Sequence, residues 1–326
     1  MNGSTLNLTS KNQKIKYSAR KSGPVLELFT NRQLYLMAVP GIIWFGLFSY
    51  YPLLWLQIAF KDYNIQDGAF GSPFLKDIFQ NFKFYFTSSY FFRTTFNTIF
   101  LNVLSIFSVL VVAVGMALLL NELGHRASKR FFQSAMFFPH FLSTIIVASF
   151  VYTLLGEQFG TVNSVLQSMS LEPVAWYSRP ELWPAILTLV SVWQSAGYNS
   201  VIYLASISSI DTALYEASRI DGASRFQEIR YITIPHLMPT ICIMLLLSIG
   251  RIFAGNFQLI YSIVGTNGML LPTTDIIDTY VFRGLTVNGT YGESTAVGLY
   301  QSVMGLIVVL MSNKLVKKYD ESYGLF

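Results

Sequence analysis

The sequence is short of charge, cysteine and histidine for a chain of 326 residues. Charged side chains make up 12% of it, whereas about 25% is usual in soluble proteins. A soluble fold of this length needs more charge to cover its surface, so the deficit excludes a typical cytosolic enzyme. The one cysteine, Cys242, cannot form an internal disulfide or a cysteine cluster. The three histidines (His125, His140 and His236) lie far apart, so we expect no metal site.

Apolar residues dominate instead, at 52% of the chain. A bilayer core about 30 Å thick is crossed by about 20 mostly apolar helical residues. Six stretches meet this requirement, at residues 34–60, 94–120, 131–155, 182–207, 237–263 and 295–315, of which 182–207 is the most polar. The sequence therefore predicts an all-α polytopic membrane protein with six transmembrane helices, a basic N-terminal tail (1–33), a transmembrane domain (34–315) and a C-terminal tail (316–326).

Lysine and arginine are distributed unevenly between the loops of this topology. With the N-terminus inside, fifteen of the 22 basic residues lie in cytoplasmic segments and six in outer segments. The positive-inside rule then predicts an N-in, C-in orientation. This orientation also accounts for the net charge of +5, so we expect no nucleic-acid partner. Pro40, Pro52 and Pro139 predict kinks within spans, and the aromatic run at 82–92 predicts an interfacial segment.

The segment between the fourth and fifth predicted spans, residues 208–236, is longer than a connector needs. Asp211 or Thr212 can cap a first helix, and Gly222 can end it because glycine accepts the left-handed conformation. Ser224 can cap a second helix, which Pro235 is predicted to end. We expect two short helices hinged at Gly222.

Small residues in this loop (Ala217, Ser218 and Ala223) would let another backbone approach closely. Charged residues flank them, namely Glu216, Arg219, Asp221 and Arg225. This pattern indicates a protruding surface on which another protein docks, which we call the docking patch. The alternative is an amphipathic loop lying on the lipid surface.

The same residues carry a family resemblance. Glu216-Ala217-Ser218, three residues and Gly222, with Ile232 to Pro235 further on, resemble the EAA loop of binding-protein-dependent ABC importer permeases. The run from Tyr215 to Ala223 is similar to the maltose-type carbohydrate-uptake branch; Ser218 and Ile234 are mild departures. Other segments resemble the subgroup for oligosaccharides and polysaccharide fragments, including alginate and other uronides: 138–143, 192–194, 278–280 with Arg283, and 296–302 leading to 313–314. The resemblance covers about residues 30–326 and rests most on the loop motif.

The resemblance implies a transport subunit that performs no covalent chemistry and forms the translocation pathway for an oligosaccharide by ATP-driven alternating access. It implies ATPase-coupling roles for Tyr215, Glu216, Ala217, Ser218, Arg219, Asp221, Gly222, Ala223 and Pro235. No G-x-x-x-x-G-K-[ST] phosphate loop occurs in the chain, so ATP and Mg would be bound by a partner ABC ATPase dimer. The other implied partners are a second homologous permease, an extracytoplasmic solute-binding protein and the lipid of a bacterial inner membrane.

Polar residues inside spans usually face protein or a water-filled cavity. In the fifth predicted span, Arg251 is about 18 Å beyond Pro239 along a continuous helix, and it shares a polar stripe with Ser248, Gly255, Gln258 and Ser262, near Asn256 and Tyr261. The fourth span places polar residues on roughly one face, namely Thr188, Ser191, Ser195, Tyr198 and Asn199, with Trp193 and Gln194 beside it. These residues indicate either a sugar pathway or contacts between helices. Arg251 favours an acidic sugar, and neutral oligosaccharides stay open.

A self-contained secondary transporter or channel is the alternative function. That class favours inverted repeats or buried acids for ion coupling. The sequence has no repeat between 30–160 and 170–315, and none of its seventeen acids lies clearly in mid-span. The ABC permease is therefore the favoured interpretation.

Overall fold

The computed structural model describes residues 32–319, and this part of the chain is helical without a named β-strand. We label its main helices in chain order: α1 Arg32–Phe60, α2 Gln80–Thr87, α3 Ser89–Glu122, α4 Arg126–Phe137, α5 Thr144–Leu155, α6 Thr161–Ser168, α7 Trp183–Ser208, α8 Thr212–Ile220, α9 Arg225–Ile249, α10 Phe257–Val264, α11 Ile277–Arg283 and α12 Tyr291–Tyr319. The predicted tails lie mostly outside the described residues.

Four of these helices are long and apolar enough to cross a membrane, namely α1, α3, α9 and α12. A fifth candidate is α4 with α5, which are separated by a short break and bent by 96°. The described part of the chain is therefore a polytopic helical membrane protein. The prediction of a helical membrane fold is confirmed, and the number six stays a prediction.

The described residues divide into two units, one up to Trp55 and one from Leu56 onward. In the first unit, the described residues form helix with no buried side chain. Pro40 lies within this helix, and a π-helical turn at Gly46–Tyr50 comes two residues before Pro52. A proline ring clashes with the carbonyl four residues earlier, and a wider turn relieves that clash without ending the helix.

In the second unit, α3 and α7 form the most extensive helix pair. Their contact is built from small residues, including Ala113, Ala117 and Ala196, which are fully buried. Next to them, Gly197 lies against the backbone of α4, because a Cβ at this position would collide with the Met136 carbonyl oxygen. Small residues allow such close approach of helices in membranes.

A second cluster of buried side chains joins α3, α5, α7 and α10 and includes Leu101, Val151, Trp183 and Leu259. A third includes Tyr85 of α2, Phe253, Ile277 and Val297. Tyr85 is buried and shares a 2.7 Å hydrogen bond with Thr94. The predicted interfacial run at 82–92 is therefore partly wrong, because one of its rings belongs to the core.

The third predicted span, 131–155, is broken rather than kinked. A 3-10 turn at Phe138–Phe141 follows α4, and Ser143 caps α5 by accepting a hydrogen bond from the Ile146 amide. Pro139 has no amide hydrogen to continue the α4 ladder. The new cap lets a separate helix start in another direction.

Candidate functional site

The loop between α7 and α9 is the first candidate site, and its local structure follows its capping residues. Asp211 caps α8 by accepting from the Ala213 amide at 2.9 Å. Gly222 then takes φ +80°, which glycine adopts without strain. Ser224 forms a capping box with Gln227 at the start of α9. The structure thus has the two helices and the Gly222 bend that the sequence predicts.

Pro235 does not end the second helix, contrary to the prediction. The chain stays helical from Arg225 to Ile249. A π-helical turn at Ile229–Thr233 precedes the proline, with the Ile234 amide bonded to the Ile229 carbonyl. The wider turn accommodates the proline ring, so the second short helix and the fifth span are one element.

The predicted docking patch faces outward. Glu216, Ala217 and Asp221 are exposed, while Ser218 and Ala223 are half-buried. Large apolar side chains stand around them: Ile220 is 87% exposed and Phe226 69%. The helical spacing of these two residues does not indicate that they are exposed. Large apolar residues isolated in a charged loop are the sequence signal that could have indicated an exposed contact surface.

Arg219 and Arg225 do not simply flank the patch, because both turn towards Glu228. Arg219 Nε donates to Glu228 Oε1 at 2.8 Å, and Arg225 Nη1 lies 3.4 Å from Glu228 Oε2. Glu228 is 3% exposed, and Glu122 at the end of α3 lies 3.8 Å from Arg225. The hydrogen bond to Glu228 raises the pKa of Arg219 above its ordinary value, so this arginine stays charged. Sequence reasoning did not single out Glu228.

The second candidate site depends on the fifth predicted span, which is not continuous. Helix α9 ends at Ile249, the chain turns through residues 250–256, and α10 begins at Phe257. Arg251 lies exposed in that turn, Asn256 caps α10, and Gln258 is exposed. The predicted stripe on one helix face is therefore wrong, and the depth of Arg251 in the membrane stays a prediction.

Amide and carboxylate side chains satisfy the backbone at this break. Asn102 of α3 donates to the Ile252 carbonyl at 3.0 Å. Gln301 of α12 donates to the Phe253 carbonyl and to Asp278. Asp278 also accepts from the Gly255 amide at 2.9 Å. Because non-helical backbone at membrane depth is tolerated where protein satisfies it, these three side chains can hold the break in place.

A polar cavity of 190 Å³ lies between α3, α7 and α9. Hydroxyl and amide groups line much of it: Ser105, Ser191, Ser195, Asn199, Tyr203 and Ser248. Ser105 and Ser191 share a 2.7 Å hydrogen bond. A smaller pocket shares these two serines and adds Asn102, Thr188 and Asn256. The polar face predicted for the fourth span is thus brought together with Ser248 and Asn256, which lie on either side of the break.

The remaining predicted pathway residues lie elsewhere. Trp193 lines an apolar groove between α5 and α7. Gln194 donates to the Leu142 carbonyl beside the break in the third span. Tyr198 stacks on His140 at 4.3 Å, and Tyr261 packs against Phe257 and Phe282. The prediction that Tyr198 shares one face with Asn199 is therefore wrong, whereas pathway roles for Trp193, Gln194 and Tyr261 stay predictions.

No group of three or more His, Cys, Asp or Glu side chains within residues 32–319 is arranged to hold a metal ion. The chemistry that these two sites offer is hydrogen bonding, ion pairing and contact with another surface.

Broken spans and a partly polar cavity between helices are features found in membrane transport proteins. Residues 109–320 match the family described as the binding-protein-dependent transport system inner membrane component. Protein LplB of Bacillus subtilis is 34% identical, over 91% of this chain and 92% of that protein. The polygalacturonan/rhamnogalacturonan transport system permease protein YteP of Bacillus subtilis is also 34% identical, over 91% of each chain.

Solved structures agree. The chain superposes on a bacterial ABC transporter involved in the import of the acidic polysaccharide alginate with a TM-score of 0.83 and 33% identity, over 91% of this chain and 99% of that one. A second match is the alginate transporter in complex with its pentasaccharide-bound periplasmic protein, with a TM-score of 0.81 and 34% identity over 90% and 97%.

The chain belongs to the family of inner-membrane components of binding-protein-dependent transport systems. It is a permease subunit of an ABC importer and is not itself an enzyme. The predicted family and role are confirmed, and the alternative of a self-contained secondary transporter or channel is set aside.

Proposed function

We propose that this permease crosses a bacterial inner membrane six times with both termini in the cytoplasm. The helix that brings the number of spans to six is α7, the fourth in chain order, which has 26 residues and no charged side chain. The two ends of α3 support the arrangement: Arg93 near its start bonds Asp275, and Glu122, its last residue, lies near Arg225. The 265–290 segment and the α7–α9 loop are therefore at opposite ends of one long helix, as six spans require.

The α7–α9 loop is the site that binds an ABC ATPase and is moved by it when ATP is bound and hydrolysed. The observation that carries this proposal is the bend at Gly222, which presents a small-residue patch beside exposed Ile220 and Phe226. Glu216 is exposed on α8 and would pair with a basic group of the ATPase. Tyr215, Ala217, Ser218, Asp221 and Ala223 would shape the contact.

ATP and Mg would be bound by the ATPase dimer, since this chain has no phosphate loop. One such loop per chain and two clefts on a dimer call for a second, homologous permease. A solute-binding protein on the outer side would deliver the substrate, as the family's description indicates.

The substrate is an oligosaccharide, and an acidic one is favoured. The names of the similar proteins mention polygalacturonan, rhamnogalacturonan and alginate. In this chain the polar cavity offers hydroxyl and amide groups suited to sugar hydroxyls, among them Asn199 and Asn256. Arg251 and Gln258 are exposed at and just after the break that carries Asn256, and a guanidinium forks onto carboxylates. We place the pathway along this cavity, with weaker roles for Trp193, Gln194, Tyr198 and Tyr261.

The complete transporter in proteoliposomes tests this proposal. Uptake of uronide and neutral oligosaccharides of equal length is compared in the presence of ATP and the binding protein. We expect ATP-dependent uptake of the uronides.

The Glu216→Lys variant should lose both uptake and co-purification with the ATPase. The Arg251→Gln variant should weaken uronide uptake by about tenfold, the effect of one charge-assisted hydrogen bond. Uptake without ATP, or an intact Glu216→Lys transporter, would refute coupling through this loop.

A further inference from the structure

Two side chains on one face of α8 reach across to α9. Tyr215 and Arg219 are four residues apart, a spacing that puts them on the same side of a helix. The Tyr215 hydroxyl lies 2.9 Å from the Thr233 hydroxyl, and the Arg219 guanidinium lies 2.8 Å from Glu228. Helix α8 is therefore fastened to α9 at two points one turn apart.

The receiving residues, Glu228 and Thr233, are five residues apart. In an α-helix with 3.6 residues per turn, residues five apart point about 140° away from each other. Here they face the same helix, and both are buried. The reason is the π-helical turn at Ile229–Thr233, because hydrogen bonding from each residue to the fifth one along brings such residues into line. The Thr233 hydroxyl also donates to the Glu228 carbonyl across this turn.

Glu228 is the centre of the connection. Its two oxygens accept from Arg219 and Arg225, and Arg225 in turn faces Glu122 at the end of α3. Because a buried carboxylate that loses such partners is costly, these contacts oppose a change in the angle between α8 and α9.

We propose that Glu228 and Thr233, aligned by the π turn, are positioning residues that make α8 and the start of α9 one rigid lever. A displacement of α8 by a cytoplasmic partner is then passed directly to the fifth span and its break at 250–256. This inference rests on the proposed function, since it assigns the residues that pass a displacement of α8 by the ATPase on to the fifth span.

Uptake per ATP hydrolysed, measured on the complete transporter in proteoliposomes, tests the lever. We expect Glu228→Gln to retain the ATPase subunits and to hydrolyse ATP, with uptake per ATP lowered about tenfold, within the range of coupling between sites. Arg230→Gln removes an exposed arginine of the same turn and should leave the ratio unchanged. The exchanged pair, Arg219→Glu with Glu228→Arg, should recover part of the loss.

The π turn itself is tested by a matched pair at Tyr231, an exposed residue within it. Tyr231→Ala keeps the turn and should keep coupling, whereas deletion of Tyr231 restores α-helical register and should uncouple. If Glu228→Gln does not assemble, uptake per ATP hydrolysed is measured on Thr233→Val instead. This change replaces one hydroxyl by a methyl group and leaves Glu228 in place. Wild-type uptake per ATP in Glu228→Gln or in Thr233→Val, or in the Tyr231 deletion, would overturn the lever. Failure of the wild-type transporter to couple ATP to uptake would instead overturn the proposed function.

Discussion

A buried carboxylate holds the segment after α10 onto α3. Asp275 is fully buried, and it accepts hydrogen bonds from Arg93, from both Nη atoms of Arg283 and from the Thr279 hydroxyl. Arg93 and Asp275 are 182 residues apart in sequence. Sequence analysis could count these residues as outer charges, but no local pattern pairs them.

Asp275→Asn should therefore destabilise the chain by about 3–5 kcal/mol, the cost of breaking a buried ion pair. The two half-buried arginines would then face each other without their counter-charge. Thermal unfolding of the purified transporter in detergent measures the effect. Asp62→Asn removes an exposed acid and should leave the unfolding temperature unchanged; equal unfolding temperatures for both variants would contradict the prediction.

At the scale of elements, most helices could be predicted because their apolar runs are long. The breaks could not be placed. Pro139 predicts a disturbance in the third span, but the 96° bend also depends on the Ser143 cap and on Gln194 reaching Leu142. The break after Ile249 has no proline, and its carbonyls are satisfied by Asn102 and Gln301 from other helices.

Helix packing gives a prediction at the same scale. Gly197→Ala would place a methyl group against the Met136 carbonyl, so α4 must shift away from α7. We expect a loss of about 1–3 kcal/mol in stability, as overpacking usually costs. Gly115→Ala, where a Cβ meets nothing within 4 Å, is the matched control and should be neutral or stabilising. A stable Gly197→Ala variant would mean that the two helices are not in this contact.

For the whole molecule, composition and loop charges predict the membrane class and an orientation, and the loop motif predicts the family. The pathway prediction was weaker, because it assumed that polar residues on one helix share one face. Asn199 and Ser248 do meet in the cavity, whereas Tyr198 turns to His140. Which polar groups converge is decided by neighbouring helices, and the spacing along one helix does not contain that information.

The orientation of the whole chain is testable by cysteine labelling. In a Cys242→Ser background, Lys76→Cys should react with a membrane-impermeant maleimide in intact cells. Arg230→Cys should react only after the membrane is permeabilised. Both positions are exposed, so accessibility from one side decides the result, and the reverse pattern would invert the topology.

The two π turns that precede Pro52 and Pro235 also have a consequence for how related chains should be aligned. A π turn holds one residue more than the α-helical turn that it replaces. A homologue without the proline has no need of the extra residue. Single-residue gaps in the family should therefore fall in the turn before these positions, and they should accompany loss of the proline rather than occur at random along the spans.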